Sequence, residues 1–416
     1  MKRIAAIASL AIVGALVAPG AASAGRDPWV TSWGTAVQRP QPGNEWSGNN
    51  WSVEGFSNQS VRQVVRVAAG GSRVRIRLSN VYGTSPLRVT GATVARSAGG
   101  AAVRPGTQRP LTFGYRPSTT VPAGQQLVSD ETYLNTSALD SLTVTLYFAA
   151  PTGRATFHEY GLTTSYRAAG DHRWDSDGAA YTDSDSHSYY YLNGVEVAGG
   201  PVKAQGTVVA LGDSITDGAG SSDGAHRYPD LLADRLVAAG RPLAVSNAGI
   251  NGNRLLGDSD CFGDGGLTRS GRDALDRPGV RTVLVLEGIN DIGMGGLDFG
   301  CGAPAPVVGA ADLIAGYRAL IRAAHARGVR VVGATILPMK GNEFGYDTPA
   351  NEGVRDAVND WIRGGGEFDG VVDLDRALAD PANPDALLGA YDAGDHIHPN
   401  DLGKRVMAEA VDLAVL

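Results

Sequence analysis

The hydrophobic rhythm of the chain changes once, near residue 200, and that change fixes what each half can become. Before it, apolar and polar residues alternate in short runs broken by Gly, Pro, Asn and Ser; after it, near-continuous apolar runs are followed by longer amphipathic stretches. A period of two belongs to strands with one buried face, whereas apolar runs followed by amphipathic stretches belong to parallel strands covered by helices. In "SRVRIRLSN", Val74, Ile76 and Leu78 point one way and Arg73, Arg75 and Arg77 the other, which predicts a half-buried strand with a wet arginine face. Several such runs predict an antiparallel β-sandwich or jelly-roll-like domain over residues 25–200.

From residue 201 to 416 the expected strands are "TVVAL" (207–211), "LAVSN" (243–247), "TVLVLEG" (282–288), "VRVVGAT" (329–335) and "FDGVVDL" (368–374). Helical stretches such as "YPDLLADRLVAAG", "ADLIAGYRALIRAAHARG" and "NEGVRDAVNDWIRGG" lie between them, and "NDLGKRVMAEAVDLAV" closes the chain. The class is α/β, a doubly wound parallel sheet, and its active groups should gather beyond the carboxyl ends of the strands. A chain of 416 residues exceeds one ordinary domain, in keeping with the two rhythms.

Lys2 and Arg3, the apolar stretch from Ile4 to Ala18 and the small residues Ala22-Ser23-Ala24 read as a secretory signal peptide over residues 1–24, so export is expected. Taking Lys2 and Arg3 from the 36 basic residues leaves 34 against 43 acidic, a net charge of −9. Without a basic run such a surface does not suit nucleic acid, and no later segment is apolar enough to span a bilayer. In an exported chain the two cysteines, Cys261 and Cys301, are expected to pair. "DHRWDSDGAAYTDSDSH" (171–187) lacks the ligand spacing of a calcium loop and reads as a polar loop. Trp29, Trp33, Trp46, Trp51 and Trp174 could stack sugar rings or fill a core.

Four polar sets stand at the ends of the predicted strands and before the last helix. "GDSITDG" carries Ser214, "NAGINGN" carries Gly252, "GINDIG" carries Asn290, and "DAGDHIHPND" carries Asp395 and His398 three residues apart. The topology brings all four to one rim. A serine hydroxyl needs a base to take its proton, and imidazole suits that task near neutral pH. His398 is the candidate base, Asp395 the group that would fix its tautomer, and Ser214 the nucleophile. An oxyanion formed by attack on an ester carbonyl needs donors, and the Ser214 N–H, the Gly252 N–H and the Asn290 amide are the candidates.

These blocks resemble those of the GDSL, or SGNH, hydrolase superfamily over residues 206–416. The resemblance implies a flavodoxin-like three-layer α/β/α sandwich, Ser214, His398 and Asp395 as a triad, and Ser214, Gly252 and Asn290 as oxyanion donors. His396, the rival base, adjoins Asp395 directly, and neighbours in an extended turn point apart. Asp213 is expected to bond its own turn, Asp291 to brace the turn beneath Asn290, and Asn247 has no assigned part. "GDSITDGAGSS" fits neither a P-loop nor a dinucleotide fingerprint, and Thr216 breaks the G-x-S-x-G pattern of an α/β-hydrolase elbow. No metal-ligand spacing is apparent, so neither metal nor organic cofactor is expected.

The expected function is a secreted serine esterase acting on small or polysaccharide esters, with acetylated or feruloylated carbohydrate favoured by export and by the aromatic-bearing β half. The other readings are a lipase or arylesterase, an acyltransferase using the same serine, and a glycan-binding module with little hydrolase activity.

Overall fold

The computed structural model describes residues 28–301 and 304–416. The expected signal peptide lies outside the described residues. The first half is built from antiparallel strands, of which the longer are β1 (Val30–Gly34), β2 (Gln59–Arg66), β3 (Gly71–Ser79), β4 (Gly91–Gly99), β5 (Ser141–Phe148) and β6 (Leu192–Ala198). One sheet runs β1-β6-β3 and continues to Thr132–Thr136; the other centres on β2-β5-β4. Val74, Ile76 and Leu78 of β3 are buried with Val61 and Val65 of β2 and Val144 and Leu146 of β5, so the alternation reports the core face.

The opposite face of β3 is not simply wet. Arg75 and Arg77 both reach the buried Glu196 of β6, at 2.5 and 2.8 Å, and Arg73 reaches Glu131 at 2.9 Å. Arg75 also lies over the ring of Trp29, at 4.3 Å. Cross-strand pairing supplies these partners, because Glu196 stands opposite Arg75 in the register. Trp33 and Trp51 are core residues, whereas Trp46 and Trp174 are exposed. In the acidic stretch the carbonyls of His172, Asp175 and Asp177 turn inward to the buried guanidinium of Arg62, so a cation of the chain itself organises that loop.

The second half contains β7 (Gly206–Gly212), β8 (Leu243–Gly249), β9 (Val280–Leu286), β10 (Arg330–Ala334) and β11 (Gly370–Val372), all parallel in the order β8-β7-β9-β10-β11. This is the flavodoxin-like order. The helices that position the site are α1 (Ser214–Asp217), α2 (Tyr228–Ala238), α3 (Ile289–Gly293), α4 (Ala310–His325), α5 (Pro349–Gly364) and α6 (Asp401–Ala410), beside two single-turn helices, Gly266–Ser270 and Leu374–Leu378. Helix α2 packs with α6, and α4 packs with α5. The strand order reverses after β8, so right-handed crossovers place these two pairs on opposite faces. No helix among the described residues is long and apolar enough to cross a membrane.

The two halves share one continuous buried core. The Thr31 N–H donates to the Pro278 carbonyl at 2.9 Å, and Thr207 Oγ1 donates to the Thr31 carbonyl at 3.0 Å. The buried Arg277 guanidinium donates to the carbonyls of Asn193 and Thr35, each at 2.9 Å. Together these bonds carry a rigid reference from the antiparallel sheets to the parallel one.

Candidate active site

Ser214 is the first residue of α1, directly beyond β7. Asp213 caps that helix by accepting the Ile215 N–H at 2.9 Å, which is the local part expected of it. From the far side Lys404 of α6 reaches the Ile215 carbonyl at 2.6 Å. Both charged groups are buried: burial pushes the Asp213 carboxyl up to about 7 and pulls the Lys404 amine down to about 7. The serine therefore precedes a residue, Ile215, held at both its N–H and its carbonyl.

The turn before α6 returns to this serine. His398 Nε2 lies 2.8 Å from Ser214 Oγ, and its Nδ1 lies 2.6 Å from Asp395 Oδ2. The backbone N–H groups of Ile397 and His398 also donate to Asp395 Oδ1, at 3.1 and 2.9 Å. Burial alone would raise the Asp395 pKa, but these bonds and the imidazole outweigh it and hold the carboxyl down to about 2. With Nδ1–H donated to Asp395, Nε2 is the free acceptor facing the hydroxyl. His396 turns away at φ 64° and pairs with Asp392 at 2.5 Å.

Gly252 and Asn290 stand beyond β8 and β9. Gly252 has φ 69°, and a Cβ there would lie 2.3 Å from the Phe262 ring, so backbone conformation and packing both demand glycine. The N–H groups of Ser214 and Gly252 have no partner among the described residues. Asn290 Nδ2 donates to the Asn253 carbonyl at 3.0 Å, and the Tyr346 hydroxyl donates to Asn290 Oδ1 at 3.3 Å. Because the Asn253 carbonyl can only accept, the amide's orientation is fixed and Nδ2 keeps a second hydrogen to offer. Tyr346 carried no sequence signal; its ring packs on Gly293 from a loop more than fifty residues further along.

Buried ions tie the three loops together. Arg269 donates to Asn253 Oδ1 (2.9 Å), the Ala248 carbonyl (2.6 Å), the Gly212 carbonyl (2.9 Å) and Glu287 Oε1 (3.2 Å). Asp291 accepts the N–H groups of Leu255 and Leu256, at 2.7 and 2.9 Å. It thus braces the loop after β8, where the sequence suggested the turn beneath Asn290. Asn247 gains a part: Nδ2 donates to the Thr216 carbonyl at 2.7 Å and Oδ1 accepts the Gly249 N–H at 2.8 Å, linking the first two blocks. Gly249 permits this approach, since a Cβ there would lie 2.3 Å from the Asp217 nitrogen.

Cys261 and Cys301 form a disulfide. It joins the loops bearing Phe262 and Phe299, whose rings meet edge to face at 5.7 Å. Both rings line a cavity of about 400 Å³ with Arg39, Arg254, Asp258 and Asp260. The cavity borders the Gly252 loop rather than Ser214 itself, and its lining is mixed: charged side chains face Phe262, Met294, Leu297 and Phe299. Chemically, the set places an imidazole base within reach of a serine hydroxyl, which is what a serine needs in order to act as a nucleophile.

Residues 210–406 match the GDSL-like Lipase/Acylhydrolase family. No curated protein matches the chain. Among solved structures it is similar to a GDSL-like lipase from Bacteroides thetaiotaomicron VPI-5482, at 17% identity over 52% of this chain and 90% of that one, with a TM-score of 0.39. It is also similar to the lipase/acylhydrolase from Enterococcus faecalis, at 19% identity over 49% and 92% with a TM-score of 0.37. A third is a catalytic mutant of an acetylxylan esterase from Geobacillus stearothermophilus, at 22% identity over 50% and 92% with a TM-score of 0.38. With its sequence blocks on the expected strand ends, the segment 210–406 belongs to the GDSL-like lipase/acylhydrolase family, and the chain is a hydrolase.

Proposed function

We propose that the protein is an exported serine esterase in which residues 201–416 form the catalytic domain and residues 25–200 an accessory β domain, after removal of a leader ending at Ala24. Ser214 Oγ attacks the acyl carbonyl while His398 Nε2 takes its proton; the carbonyl oxygen becomes an oxyanion held by the N–H groups of Ser214 and Gly252 and by Asn290. Collapse of this intermediate expels the alcohol, which receives the proton from His398. Water, deprotonated by the same imidazole, then attacks the acyl-serine, and release of the acid restores the hydroxyl. Asp395 holds the imidazole in the required tautomer and stabilises its cationic form. The observation that carries this reading is the pair of contacts at His398, 2.8 Å to Ser214 and 2.6 Å to Asp395.

The substrate reading is an acylated carbohydrate bearing acetyl or feruloyl esters. Four charged side chains in the neighbouring cavity, Arg39, Arg254, Asp258 and Asp260, suit a hydroxyl-bearing ligand and interrupt the apolar surface that a long aliphatic chain would need. The test compares acetylated xylan, feruloyl sugar esters and p-nitrophenyl esters of rising chain length, using mature protein and Ser214→Ala. The expected result is acid release that falls by at least about a thousandfold in the variant. Silence on every ester, with glycan binding retained, would replace the esterase with a binding module.

A further inference from the structure

Glu159 is a buried carboxylate in the antiparallel half, remote in sequence from every block of the site. It accepts Gln41 Nε2 at 3.1 Å, Asn44 Nδ2 at 2.7 Å and Ser47 Oγ at 2.9 Å. Asn44 and Gly48 exchange backbone hydrogen bonds, and Asn44 Oδ1 accepts the N–H groups of Trp46 and Ser47, each at 2.9 Å. The product of all this bonding is a closed turn whose tip is Trp46, 65% exposed. Burying a carboxylate is costly, so a turn fixed this firmly that leaves a bare indole in water calls for a reason beyond packing.

The indole faces the site. Its ring centroid lies 6.1 Å from that of Phe344, and Phe344 lies 6.4 Å from the imidazole of His398. The Phe344 loop is itself fastened to the site: the Glu343 N–H donates to the Asp395 carbonyl at 3.3 Å, and Asn342 Oδ1 accepts the N–H groups of Phe344 and Tyr346 at 3.0 and 3.2 Å. Two aromatic rings, one from each half of the chain, thus lead outward from the histidine. The imidazole must hand its proton to the departing alkoxide, so the alcohol of an ester lies on this side and the carbonyl oxygen on the Gly252 and Asn290 side.

We infer that Trp46 and Phe344 form the subsite for the alcohol part of the ester, and that this alcohol is a sugar whose ring lies on the exposed indole. The inference rests on the esterase reading above. A pyranose offers an apolar C–H face to the ring and hydroxyls at its edge, where the exposed Glu45, Glu343 and His396 stand on the adjoining turns. A long-chain alcohol would want a continuous apolar wall, and two rings among charged side chains do not make one.

The test uses two esters with one acyl group, acetylated xylo-oligosaccharide and ethyl acetate, with wild type, Trp46→Ala and Trp46→Phe. The ratio of kcat/KM for the sugar ester to that for ethyl acetate should fall about tenfold in Trp46→Ala, chiefly through KM, and Trp46→Phe should recover most of it. Equal proportional losses on both esters, or an unchanged ratio, would overturn the subsite. So would a wild type that cleaves ethyl acetate but no sugar ester, leaving the esterase intact. A wild type silent on both esters and on p-nitrophenyl acetate would remove the esterase reading, and the subsite with it.

Discussion

His158 Nε2, in the antiparallel half, lies 3.1 Å from Oδ1 of Asp217, the last residue of the helix that Ser214 begins, and both side chains are buried. Asp217 Oδ2 in turn accepts the Asn251 N–H at 3.1 Å, one residue before Gly252. The first half of the chain therefore touches the second not only through shared core but through the loop that carries Gly252.

His158→Ala strips Asp217 of this neighbour inside the fold. The expected outcome is a loss of about 1–3 kcal/mol in stability and a fall in kcat larger than any rise in KM, as the Asn251–Gly252 backbone relaxes. Urea unfolding and steady-state kinetics on one ester measure both. A stability loss with kcat intact would confine His158 to packing.

Asn290→Ala should lower kcat by about 10²–10³, the usual cost of one oxyanion donor. Tyr346→Phe removes only the hydroxyl that donates to Asn290 Oδ1 while the Asn253 carbonyl still fixes the amide, so a smaller fall, about threefold to tenfold, is expected with KM nearly constant. If both variants keep wild-type kcat, the oxyanion is held elsewhere.

Asp395 gives the fold a pH dependence of definite sign. Its pKa is depressed from 3.8 to about 2, so its stabilising contribution is complete above the unfolded value and disappears as pH falls through the folded one. After discounting for its partial exposure this is on the order of 1–2 kcal/mol. Urea midpoints measured from pH 5 to pH 2 should drop more steeply for the wild type than for Asp395→Asn. Parallel curves would mean that the carboxylate gains nothing from His398.

Reduction of the Cys261–Cys301 bond, which closes 40 residues, should cost up to about 4 kcal/mol of stability by the loop-entropy argument. The Phe262 and Phe299 walls would separate, and preferences across an ester panel should flatten. A melting temperature indifferent to reductant would exclude the stabilising effect.

The fold class, the parallel strands and the four blocks were readable because periodicity and turn chemistry are local, and the crossover rule turns local order into one rim. Ser214, Gly252, Asn290, Asp395 and His398 lie in short recognisable sequences. The groups that hold them do not: Arg269, Lys404, His158 and Tyr346 each act through a partner scores of residues away, and nothing in their own stretches points to that partner. The arginine face of β3 shows the same limit. Alternation located its outward direction, but only the register with β6 reveals that Glu196 waits there.

β1 ends the β1-β6-β3 sheet on one side, and β8 ends the parallel sheet. These two margins abut, so closely at Gly34 that a Cβ there would lie 2.4 Å from Ser246 Oγ. An uncovered strand margin is a template for another chain, and here each covers the other. A fragment beginning at residue 201 would lay β8 bare and should self-associate into aggregates. The β half thus covers the margin at which the parallel sheet would otherwise meet another chain.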